Sequence, residues 1–153
     1  IGALAGAGLV ALASNQLMEA RARAAEVEIR LRGRDGWWFQ GRELGESLAI
    51  QLALRADDPA DAESRFHRAL ARAEGQDVFG AAWLTADYAG ALKLLTPESG
   101  LLETLLAQAG RVEAHGLSML STRFAVLLDR ARSERDAARA QALPQEIRTL
   151  LTA

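Results

Sequence analysis

Displaced by 42 residues, the chain falls onto itself, and this self-similarity limits the folds open to it. Gly33-Arg34-Asp35-Gly36-Trp37 lands on Gly75-Gln76-Asp77-Val78-Phe79. Asn15 meets Asp57, Ala20 meets Ala62, Ala24 meets Phe66 and Val27 meets Ala69. A further step of about 40 residues places Leu102, Leu106 and Ala109 on the same small-x-x-x-large-x-x-small face. The same step brings His115-Gly116-Leu117 near the Gly75 turn. Each unit reads as a helix, a short polar turn, a second helix and a glycine-containing turn. Such a pair cannot bury both faces alone, so consecutive pairs must stack.

Strand signals are nearly missing, and stretches rich in Ala, Leu, Arg and Glu carry apolar residues at helical spacings. The breaks between them have helix-boundary chemistry. Asn15 precedes Gln16-Leu17-Met18-Glu19, Asp58 precedes Pro59 and Thr96 precedes Pro97, each a candidate N-cap. Gly33, Gly36, Gly75 and Gly116 suit left-handed caps at helix ends. The pattern predicts helices over 2–13, 16–32, 37–55, 59–74, 78–95, 97–114, 117–132 and 134–153, the last interrupted at Pro144. The expectation is an all-α chain, a right-handed α-solenoid of about four helix-turn-helix repeats forming one domain over residues 1–153. Because it opens on Ile1 rather than Met, it is read as a fragment of a longer chain.

Within the second unit, Ala62-x-x-x-Phe66-x-x-Ala69 resembles the second-helix signature of a tetratricopeptide repeat. The stretch from Trp37-Trp38 through Asp58-Pro59-Ala60-Asp61-Ala62-Glu63-Ser64-Arg65-Phe66-His67-Arg68-Ala69-Leu70 resembles the repeats of large bacterial signalling ATPases, the LuxR-type and antibiotic-regulator-type transcriptional activators. The likeness covers residues 37–95 in detail and most of the chain in pattern. The period exceeds the about 34 residues of a standard repeat, and helix 37–55 is too long for one. The resemblance implies a cytoplasmic interaction or effector-sensing arm that biases a neighbouring ATPase or DNA-binding module.

Several chemistries are excluded by inventory. There is no cysteine and only His67 and His115, which removes thiol nucleophiles, Cys-ligated metals and most His-based metal sites. Ser64 with His67 and Ser118 with His115 lack a nucleophile elbow, so the histidines read as a helix-face residue and a helix C-terminal residue. Asp57, Asp58, Asp61 and Glu63 lack the spacing of a calcium loop and read as the cap and first turn of a helix. No phosphate-binding glycine loop occurs. Catalytic, cofactor-binding and metal-ligating residues are therefore assigned as none. Ile1 to Ala13 is apolar but shorter than the about 20 residues of a membrane span, and no basic region precedes it. Its Gly2 and Gly6 suit close helix packing, so it reads as a buried helix.

A net charge of -2 argues against direct nucleic-acid binding. Lys93 is the sole lysine among 18 basic residues. Since the arginines are scattered along the chain, their number reads as the mark of a GC-rich bacterial genome rather than as an arginine-lined groove.

The candidate binding residues are aromatic. Trp37, Trp38 and Phe39 are consecutive, so on a helix they point about 100° apart and cannot all face one core. With Trp83 and Tyr88 on the next first-of-pair helix, and Gln40 and Arg42 supplying polar orientation, Trp37 and Trp38 form a candidate pocket on the concave face. Packing of these rings between repeats is the competing reading. The occupant would be a protein, a peptide or a small effector. The alternative function is a scaffold that homodimerises through a solenoid face, with the Gly/Ala-rich first helix as the contact.

Overall fold

The structure, a computed structural model, describes residues 1–34, 38–95 and 100–151, with side chains as far as residue 138. Among the described residues there are seven helices and no strand: α1 (Gly2–Ala13), α2 (Leu17–Leu31), α3 (Arg42–Arg55), α4 (Pro59–Ala73), α5 (Val78–Ala91), α6 (Leu101–Ala114) and α7 (Ser118–Leu151). None of them is long and apolar enough to cross a membrane. The all-α expectation holds.

The repeat seen at a spacing of 42 is physical at the first two turns. Asn15 and Asp57 both adopt φ +59, in the left-handed region that asparagine and aspartate tolerate better than most residues. After each, the next amide donates back into the preceding helix, Gln16 to the Ala11 carbonyl at 2.8 Å and Asp58 to the Ala53 carbonyl at 3.0 Å. Leu117 makes the same bond to the Val112 carbonyl at 2.9 Å, after Gly116 at φ +64. One left-handed residue thereby satisfies the orphan carbonyls at the end of α1, α3 and α6. Asn15 thus ends α1 rather than capping α2. Gly75, by contrast, is not left-handed, and Gly36, Thr96 and Pro97 lie outside the described residues.

Contacts run only between helices one or two apart in the chain. Odd-numbered helices pack side by side, α1 on α3, α3 on α5 and α5 on α7, and each even-numbered helix packs on the odd ones flanking it. Glycine sets the closest approach at the N-terminal end, where a Cβ on Gly8 would overlap Leu48 and lie 3.2 Å from the Arg23 Cβ. Of the two glycines expected to pack closely, Gly2 does so, with a Cβ there 3.4 Å from the Gly41 Cα at the start of α3, whereas Gly6 meets nothing within 4 Å. α1 is buried along one face only, through Ala5, Gly8, Ala11 and Leu12. The main core joins α3 to α7 around Phe66, Leu84, Leu105 and Phe124, while Ala11, Leu12, Ala20 and Leu48 form a smaller cluster.

Three helix boundaries differ from the sequence pattern. The third helix starts at Arg42, not 37, because Gly41 at φ +90 turns the chain and the Glu43 carboxylate accepts its amide at 2.8 Å. α5 stops at Ala91 because Arg130 donates to the Leu92 and Lys93 carbonyls, at 2.8 and 2.7 Å, and Glu134 accepts the Leu95 amide. The helices expected over 117–132 and 134–153 are one. No glycine or proline interrupts 128–137, and Arg130 pairs with Glu134 one turn on at 2.7 Å. The last pair of the expected four is thus a single long helix. In α6 the buried face is Leu101, Leu105, Gln108 and Val112, a step of 39 from Ala62, Phe66, Ala69 and Ala73. That is one residue off the expected register, and Leu106 is half exposed.

Candidate functional site

Arginine collects where α2 and α4 face each other across α3. These two helices do not touch, and the gap between them is a groove of about 640 Å³. The α2 wall carries Arg21 and Arg32, the α4 wall Arg65, Arg68 and Arg72, and Arg42 lies at the base. Against these six arginines stand three carboxylates, Glu28, Glu46 and Asp61. Small and aliphatic side chains, among them Ala24, Val27, Ala49, Leu52 and Ala53, fill the space between. The narrow floor follows from Gly45, where a Cβ would lie 3.0 Å from the Val27 Cγ1.

Arg42 holds this floor together. Its side chain is 2% exposed, and a guanidinium taken out of water is costly unless its donors are matched. Nη1 donates to the Arg34 carbonyl at 2.7 Å and Nε to Glu46 at 3.1 Å. The same Glu46 oxygen accepts from Arg72 at 3.4 Å, tying the base of the groove to the α4 wall. Arg65 pairs with Asp61 at 2.7 Å, and Arg68 donates to the Ser64 hydroxyl at 3.1 Å. Arg21, Arg32 and Arg68 have no carboxylate partner among the described residues, and all three are exposed in the groove. Among the described residues, no histidine, serine or aromatic ring lines the groove. The groove is therefore suited to holding an anionic ligand by charge and shape.

The residues expected to share one aromatic pocket are dispersed. Trp37 lies outside the described residues. Trp38 is not helical. Its indole N–H donates to Asp77 at 2.8 Å, and a Cβ on Gly80 would sit 2.7 Å from its ring, so it fastens the α2–α3 connection to the start of α5. Gln40 is exposed beside a shallow cleft that includes Ile1 and Phe39. Tyr88 is buried and stacked on Phe66 at 4.3 Å. Burial pushes its hydroxyl above the ordinary pKa, and the charge of Glu63 adds to this. Trp83 lies five positions before Tyr88, about 140° round the helix, and is covered by the Arg123 guanidinium 5.6 Å from its ring. Arg123 also reaches Asp87 at 3.0 Å, and Asp87 accepts from Gln51 at 2.6 Å, which links α3, α5 and α7. Of the expected residues that are described, only Arg42 reaches the arginine groove.

Asp58 and His115 sit at helix ends as expected. The Asp58 carboxylate accepts the Asp61 amide at 3.0 Å with Pro59 opening α4. The His115 Nδ1 donates to the Arg111 carbonyl at 2.9 Å at the end of α6, and His67 is exposed. No protein-family model matches this chain, and neither a curated protein nor a solved structure does.

Proposed function

We propose that the chain is a non-enzymatic helical-repeat recognition domain whose ligand, a protein, a peptide or a small effector, sits in the groove between α2 and α4. The observation that carries this reading is the gathering of six arginines from three helices over an apolar floor, in a chain whose net charge is -2. The stacking of odd-numbered helices, with even-numbered ones packed on their flanks, supports an α-solenoid of tetratricopeptide-like repeats as the frame. In such a frame recognition moves from the expected concave aromatic pocket to the cleft between successive second helices. A role in biasing a neighbouring module of a bacterial signalling or transcription regulator rests on the resemblance at Ala62-x-x-x-Phe66-x-x-Ala69.

Selection from a displayed random-peptide library, paired with a melting screen of small organic acids, tests this reading. Both are run on the wild type and on an Arg21→Glu, Arg68→Glu variant, whose two sites are exposed and whose helicity is checked by circular dichroism. Ligands that bind the wild type and lose the variant support the groove. Ligands indifferent to the variant, or none at all, overturn it.

One observation favours the scaffold reading as a second possibility. The outer face of α1 presents Ala3, Ala7 and Val10 to solvent, Val10 at 67% exposure. A sedimentation coefficient that rises with concentration and is abolished by Val10→Glu supports a homodimer through α1. A monomer throughout overturns it.

A further inference from the structure

We infer that the groove between α2 and α4 takes an extended, carboxylate-rich peptide segment of a partner protein. This rests on the recognition reading above and adds the class of ligand. Arg42 and Arg72 meet on Glu46, but the other arginines stem from positions spread along both walls. Arg21 and Arg32 lie at opposite ends of the α2 wall, about 16 Å apart along the helix axis. Arg65 and Arg72 spread over about 10 Å of the α4 wall. A row of guanidinium groups on each side therefore matches negative charge distributed along a line, and about five residues of extended chain cover that length.

The floor selects a peptide over other linear anions. Its Ala49, Leu52 and Ala53 present apolar surface without a ring, whereas single-stranded nucleic acid is held largely by stacking on aromatic side chains. An extended peptide alternates its side chains, so one set can reach the arginines while the other lies on the alanine floor. Arg21, Arg32 and Arg68 lack carboxylate partners among the described residues, so a ligand engages them without breaking an ion pair. Arg42 and Arg72 are already joined through Glu46 and fix the base against which the ligand rests.

The test is fluorescence polarisation with three labelled probes: a hexapeptide alternating glutamate and leucine, its lysine and leucine counterpart, and an oligothymidylate of equal charge to the acidic peptide. The acidic peptide binds, weakens as salt is raised, and loses about tenfold in affinity or more in Arg21→Ala, Arg68→Ala, whereas Arg135→Ala on α7 leaves it unchanged. The lysine peptide does not bind. No binding of the acidic peptide, binding unaffected by the groove variant, or tighter binding of the oligonucleotide overturns the inference. Groove-dependent ligands from the library that are neutral or basic would overturn this ligand class while leaving the recognition reading standing.

Discussion

The α1–α2 and α3–α4 hairpins are closed by the same turn, with Asn15 and Asp57 at the same backbone angle and the same bond back into the helix, yet they bury very different surfaces. α4 buries Ala62, Phe66, Ala69, Leu70 and Ala73, and α2 only Ala20 and Val27. Where the second hairpin places Phe66 on Tyr88, the first places a half-buried Ala24. Shared turn chemistry fixes the shape of a helical pair, while its anchoring depends on the side chains that the next helix can receive. α2 packs on α1 and α3 alone and contributes one wall of the arginine groove, so that wall is the less strongly held.

The contrast can be broken most forcefully at Phe66. Phe66→Ala removes a ring that is 1% exposed from the main core and is expected to cost about 3–5 kcal/mol, read as a lowered midpoint in a denaturant titration. Ala24→Gly, at the matching position of the first hairpin, should cost about 1 kcal/mol. Equal losses would mean that the two hairpins are equally anchored. Next in size is Gly8→Ala, where the new methyl meets the fully buried Leu48. It should cost about 1–3 kcal/mol and raise amide exchange in α1 and α2 while leaving α5 and α6 as they are.

Glu134 sharpens the comparison from the other end of the chain. Burial opposes its ionisation, but the Leu95 amide and the hydrogen bond and charge of Arg130 outweigh that, so its carboxyl is held below the ordinary value of 4.5. A depressed folded-state pKa contributes stability that is full above the unfolded value and is lost as pH falls through the folded one. Glu134→Gln should therefore cost roughly 1 kcal/mol near neutral pH, and the difference from wild type should shrink as pH drops below about 4.5. Thermal melts across that range check it. Smallest are Asn15→Gly and Asp57→Gly. Each relieves a left-handed side chain but frees the unfolded chain, so both should shift stability by less than about 1 kcal/mol and by matching amounts. A clear mismatch in melting temperature would show that the two turns are not equivalent.

Much of this frame was legible in the sequence because the turns are local. Asn15 and Asp57 correspond through a spacing in the chain, and Asp58-Pro59 carries its own capping chemistry. The start of α3 was not legible. Trp37-Trp38-Phe39 continues an apolar pattern into Leu44, and nothing local shows that Gly41 takes φ +90 or that the indole of Trp38 bonds to an aspartate 39 residues away. The continuity of α7 was only partly legible: the Arg130–Glu134 pair one turn apart is local, whereas the clamp on α5 is tertiary. The arginine groove is likewise non-local. Arg65, Arg68 and Arg72 at helical spacing were the available signal for one wall, but Arg21 and Arg32 join them only because α2 and α4 stand apart over α3.

Native-state hydrogen exchange along the whole chain tests the difference between the two hairpins most directly. Amides of α1 and α2 should exchange through an opening of distinctly lower free energy than those of α4, α5 and α6, which should approach the global value. Uniform protection across all of these helices would contradict it, and would mean that α2 is as firmly seated as α4.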